Sequence, residues 1–171
     1  MANTYTLIAS NTLSSSAASV TFSAIPNTYT DFIVKFSART TASITAANLL
    51  ITLNSTSSGY SRTRLYGTGS AAASDRTSSA VDFTIDDSVP GVLGTTNTFN
   101  NGEIYIPNYA GSTNKPSSMF ITPERNNTAA TMSVAAGLWS NTAAISTIAF
   151  SLNTGNFAIG SSFFLYGIKN S

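Results

Sequence analysis

Asp31-Phe32-Ile33-Val34-Lys35-Phe36-Ser37-Ala38-Arg39 is the stretch that decides the fold. Successive side chains of an extended chain point to opposite faces. Phe32, Val34, Phe36 and Ala38 therefore share one face, while Lys35, Ser37 and Arg39 share the other, and Ile33 alone breaks the polar side. The reading is a strand with one face in a core.

The same period of two recurs outward from this stretch, in Val81-Asp82-Phe83-Thr84-Ile85, in Met132-Ser133-Val134-Ala135-Ala136-Gly137-Leu138, at Ile148, Phe150 and Leu152, and at Phe164, Tyr166 and Ile168. Each apolar set is expected to face inward. Turn chemistry separates the segments at Ser57-Ser58-Gly59, Pro90-Gly91, Asn100-Asn101-Gly102, Asn126-Asn127 and Asn153-Thr154-Gly155. Helix is the rival reading for the Ala-rich stretches 42–47, 71–73 and 129–136, but their Ser, Thr and β-branched neighbours favour strand or loop. Residues 13–18 and 69–79 read as exposed Ser/Ala loops. Roughly ten short strands punctuated by turns predict an all-β chain, a jelly-roll-like antiparallel β-sandwich forming one domain over residues 1–171.

Composition narrows the chemistry. The chain has 171 residues with a net charge of +1, and only 9% of them are charged, against roughly a quarter in ordinary globular proteins. Such a chain has no field to attract nucleic acid or an anionic membrane. It also has weak protection against association, which hints at life in an assembly. Cysteine and histidine are both absent, which removes disulfides, thiolate and imidazole metal sites, and His-based catalysis. No apolar run is long enough to span a bilayer as a helix, and the first residues lack the basic and apolar parts of an export signal.

Among candidate sites, Tyr60, Arg62, Arg64 and Tyr66 alternate onto one strand face. Two guanidinium forks flanked by aromatic rings suit protein contact, against the plainer reading of an ordinary exposed sheet face. Trp139, the only tryptophan, and Tyr105 and Tyr109 around Pro107 could stack on a sugar or plug a neighbour, or could close the core. Asp82, Asp86 and Asp87 could gather for calcium but match no EF-hand spacing, and a solvated strand end is the plainer reading. Glu103 and Glu124 are the only glutamates, and a glycosidase pair would need a cleft that nothing beside them suggests. No catalytic residue, metal site or cofactor is expected.

Gly137-Leu138-Trp139-Ser140-Asn141-Thr142-Ala143-Ala144-Ile145 leads into Gly155-Asn156-Phe157, Gly160-Ser161 and Phe164-Leu165-Tyr166-Gly167-Ile168. With the opening Ala2-Asn3-Thr4-Tyr5-Thr6-Leu7-Ile8, the stretch 60–67 and Glu103-Ile104-Tyr105-Ile106-Pro107-Asn108-Tyr109, these residues resemble small virion structural proteins of tailed bacteriophages, cyanophages in particular. The resemblance implies a non-enzymatic place on the virion surface. Its first form is a capsid decoration (cement) protein, a homo-oligomer with a trimer ahead of a dimer, bound to the major capsid protein of the shell. Its second form is a tail-fibre or receptor-binding module that contacts host glycans.

Overall fold

Alternating segments of this kind cannot satisfy their backbone groups alone, and they do so here by pairing into sheets. The computed structural model describes residues 4–123 and 131–169, so the Asn126-Asn127 turn and Glu124 lie outside the described residues. The described strands are β1 (Tyr5–Thr12), β2 (Ser19–Phe22), β3 (Asp31–Ser37), β4 (Ala46–Leu53), β5 (Tyr60–Gly67) and β6 (Ala72–Ala80). They continue with β7 (Phe83–Pro90), β8 (Asn101–Ile106), β9 (Lys115–Thr122), β10 (Met132–Trp139), β11 (Ile148–Leu152) and β12 (Ser162–Ile168).

All pairings between these strands are antiparallel. An eight-stranded sheet runs β1-β12-β3-β8-β9-β10-β5-β6, and a four-stranded sheet runs β2-β11-β4-β7. The chain is thus an all-β sandwich, with twelve strands among the described residues where about ten were expected. The short sheet faces the long one from β12 as far as β5, where Phe83 and Asp86 of β7 meet Tyr60 and Arg62. β1, β12, β3 and β8 form the long sheet's first half, and β9, β10, β5 and β6 extend it.

Under the first half the core is aromatic. Phe163 stacks near Phe36 with ring centroids 5.8 Å apart, and it meets Phe150 and Phe157, each at 5.2 Å. Phe32, Val34, Phe36 and Ala38 are all buried, as the alternation requires. Ile33 is buried too, on the opposite face, because Tyr166 and Tyr105 stand directly beside it in register.

Three expectations need correction. Residues 72–80 are a strand, not part of a loop: β6 is an edge strand with both faces largely wet, so it carries no apolar alternation and exists through its pairing with β5. Asn101 and Gly102 lie in β8 rather than in a turn. The buried Asn100 side chain accepts from Ala38 N at 2.7 Å and donates to the Ser88 carbonyl at 2.7 Å, which lets the chain enter the sheet there.

The third correction concerns facing. In β12 the inward residues are Phe163 and Leu165, so Phe164 and Tyr166 look outward. In β10 Ser133, Ala135 and Gly137 face in, while Met132 and Val134 are exposed. A Cβ on Gly137 would stand 2.5 Å from Met119 Cε and 2.8 Å from Phe83 Cε1, so the interior there is already full.

Candidate interaction surface

Tyr60, Arg62, Arg64 and Tyr66 do share one face of β5, but that face turns inward. Tyr60, Arg62 and Arg64 are at most 7% exposed, and Tyr66 is half-buried. The reading of these side chains as an open contact face is therefore corrected. Their partners explain the burial. Arg62 reaches Asp75 at 2.9 Å and Asp86 at 2.7 Å. Arg64 donates from Nε to Asp75 at 3.0 Å and from Nη1 to the Asp86 carbonyl at 3.0 Å, and its guanidinium lies 4.3 Å from the Tyr66 ring centre.

This cluster sits where β7 ends the short sheet, so it ties the extension's inner face to the edge of the opposite sheet. Burial works against ionisation of Asp75, but hydrogen bonds and charge from Arg64 and Arg62 outweigh it and hold its carboxyl below the usual range. Asp86 also accepts from Asn48 Nδ2 at 2.8 Å. Asp82 accepts from the Thr84 hydroxyl, and Asp87 is exposed with φ 52°. The three aspartates do not converge, and among the described residues no cluster of three acidic side chains could hold a metal ion.

The remaining aromatic candidates are largely inside. Trp139 is buried, packed on Tyr60 with centroids 6.2 Å apart, and its register neighbour Lys115 is buried as well. Lys115 Nζ donates to the Gly111 carbonyl at 2.6 Å, and desolvation pulls its pKa down. Tyr60 accepts from Leu53 N at 2.7 Å through its hydroxyl. Tyr109 is buried against Phe32 and donates to the Pro26 carbonyl. Tyr105 is half-buried on the outer face. Its hydroxyl donates to Asp31 at 2.8 Å, and burial followed by the Asp31 carboxylate pushes its pKa up to about 12. Glu103 pairs with Lys35 at 2.9 Å on the surface.

The surface open to a partner is the opposite face of the same strands. Phe120, Val134 and Leu65 stand directly opposite one another across β9, β10 and β5 and are 47%, 46% and 62% exposed. Met132 adjoins them at 53% and, with Leu65, Val134 and Ala72, lines a shallow depression of about 180 Å³. In register the outer side chains around this row are Pro116, Ser118, Ala136, Thr63, Ser61 and Ser74, with Arg76 on β6 at one side and Glu103 on β8, paired with Lys35, beside Phe120 at the other. An apolar centre inside a polar rim is the anatomy of a contact surface. The signal that could have found it was the alternation of β10, which shows a two-faced strand but not which face is inside.

Comparison with protein-family models, curated proteins and solved structures finds no match, and so gives no link to phage structural proteins.

Proposed function

We propose that this chain is a non-enzymatic structural subunit of a virion surface: a decoration protein that binds the outside of a phage head as a homo-oligomer of three copies. The observation that carries the reading is the exposed row Phe120, Val134 and Leu65, bordered by uncharged side chains along β9, β10 and β5 and by the Glu103–Lys35 pair and Arg76 at its two ends. A face of this kind holds a protein partner by apolar contact and is indifferent to salt, which suits permanent attachment to a shell. The sequence resemblance to tailed-phage virion proteins points the same way.

The pairing of β1 with β12, β2 with β11, β3 with β8 and β4 with β7 is that of one long ribbon rolled so that successive pairs alternate between sheets. We read this as a jelly roll with the β5–β6 and β9–β10 hairpins added to one sheet. The added hairpins carry the exposed apolar row, so the docking surface is an elaboration of a plain roll.

A second reading, a tail-fibre or receptor-binding module for host glycans, draws on outer-face tyrosines. Tyr5 is half exposed and meets Tyr166 edge-on at 6.4 Å, which offers rings to a sugar. Immunogold labelling with antibody to the purified chain, applied to the virions its genome specifies, separates the two. Gold over the head supports decoration, gold at the tail tip supports receptor binding, and unlabelled virions overturn both. Leu65→Lys with Val134→Lys is expected to abolish attachment of the added chain to heads while leaving it folded.

A further inference from the structure

The two sheets treat their edges differently. Edge strands expose unpaired N–H and C=O groups, and monomers block them with short strands, charges, prolines or bulges. The short sheet is blocked at both ends. β2 has four residues, while β7 carries Asp86 and Asp87, a left-handed φ of 52° at Asp87, and Pro90. The long sheet ends on β1 and β6, strands of eight and nine residues that are exposed or half-buried throughout. β6 carries Asp75 and Arg76, with its register shift and the left-handed φ of 54° at Ser79 confined to its last residues, so Ala72 to Thr77 stays a regular run. β1 has no charge and no proline, and its only guard is a bulge between Leu7 and Ala9.

We propose that the β6 edge of one copy pairs antiparallel with the β1 edge of a second copy, so that the long sheets join head to tail. Only another extended strand can match a row of free backbone groups. Antiparallel junctions link every neighbour from β1 to β6, and with eight strands in the sheet the two edges run in opposite directions. Copies placed side by side in the same orientation therefore meet β6 against β1 in the antiparallel sense already used throughout the sheet.

Self-pairing of either edge is worse. A twofold axis through the sheet keeps its faces, so residues meeting across it must share a face. The registers centred on β6 then set Arg76 against Arg76 or Asp75 against Asp75, and like charges directly opposite are destabilising. A β1 pair would place its bulge against itself at the centre. β1 against β6 avoids both: the uncharged strand meets the charged one, and the bulge faces the regular run Ala72 to Thr77. The join also brings Tyr5 and Leu7, both about half exposed, onto the same outer face as Leu65 and Val134, with Ser74 and Arg76 of β6 between them.

The contact is heterologous, so it closes into a ring or continues as a filament. It goes beyond the head-decoration reading and stands on the sheet edges whatever the chain attaches to.

Proline tests it. Leu13 N bonds to the Ser161 carbonyl at 2.9 Å, so by alternation the Ser10 N–H faces the free edge of β1. Thr68 N bonds to the Ala71 carbonyl at 2.9 Å, which leaves the Ser74 N–H facing the free edge of β6. Ser10→Pro and Ser74→Pro each block one edge without removing a bond of the sheet. In size-exclusion chromatography with light scattering, the wild-type chain is expected to be oligomeric and each variant alone to run at single-chain mass. An equimolar mixture is expected at twice that mass, since one variant keeps β6 and the other keeps β1. A monomeric wild type, a blocked variant that still dimerises alone, or a mixture that stays monomeric would overturn the proposal. Should a proline variant melt early, lysine at the same position guards the edge by charge while leaving the backbone conformation free.

Discussion

β3 and β10 lie in the same eight-stranded sheet and turn opposite kinds of side chain to the interior. β3 presents Phe32, Val34 and Phe36 to the core, whereas β10 presents Ser133, Ala135 and Gly137 before its last residue, the buried Trp139, and leaves Met132 and Val134 to solvent. What lies across from each strand accounts for the difference. Opposite β3 the short sheet supplies Phe150 and its neighbours, and apolar area is removed from water on both sides. Beside β10 the interior is taken by Arg62 and Arg64 of β5, by Met119, and by Phe83. Between Ser133 and Gly137 small residues are what fits, and the apolar Met132 and Val134 side chains are left to solvent. A strand's period thus says that it has two faces, and its surroundings say which one is dry.

The comparison breaks most readily at Phe163. This ring touches Phe36, Phe150 and Phe157 and has no exposed surface, so Phe163→Ala is expected to cost about 3–5 kcal/mol. Val134→Ala, on an exposed position of the extension, is expected to change stability by less than about 0.5 kcal/mol. Urea unfolding of the two variants decides: similar losses would mean that the outer face of β10 is as much part of the core as β3.

Strand period carried the fold class, because apolar alternation in β3, β7, β10, β11 and β12 is a local property of the chain. Facing was not local. The inward set of β12 could be Phe163 and Leu165 or Phe164 and Tyr166 on period alone, and only the register with β3 chooses. β6 was illegible for the same reason, since Ala72-Ala73-Ser74-Asp75-Arg76-Thr77 becomes a strand by pairing with β5 and not by burying a face. Arg62 and Arg64 read as contact residues because two arginines near no acid in sequence look unpaired. Their acids, Asp75 and Asp86, arrive 11 to 24 residues away along the chain.

Gly137 sharpens the comparison from inside. Its missing side chain leaves room for the Met119 methyl group, the Ser117 hydroxyl and the Phe83 ring, all within 2.8 Å of where a Cβ would stand. Gly137→Ala must therefore displace packed atoms and is expected to cost about 1–3 kcal/mol, although the same change on an open strand face is favourable. The thermal midpoint of the purified variant measures it. An unchanged or raised midpoint would show that the interior beside the arginines is loosely filled, and a full interior would then no longer explain why the apolar side chains of β10 face outward.

The smallest effect comes from acid, because the extension's inner face holds charge where the first half holds phenylalanine. The folded pKa of Asp75 lies below its ordinary value of 3.8, so near that pH the unfolded chain binds more protons than the folded one. Its contribution is fully present above 3.8 and is lost as the pH falls through the lower folded value. Asp75 is about a third exposed, so solvent screens the ion pairs and the loss is expected to be smaller than that of Phe163→Ala or Gly137→Ala. Thermal midpoints followed from pH 6 to pH 2.5 (roughly the span over which carboxylates titrate) should fall less steeply in Asp75→Asn than in the wild type. The variant should also start lower at pH 6, since Arg62 and Arg64 then keep only Asp86 as an ionised partner. Parallel curves would mean that Asp75 titrates alike in both states, and that the arginines are held in place by Asp86 and the Tyr66 ring.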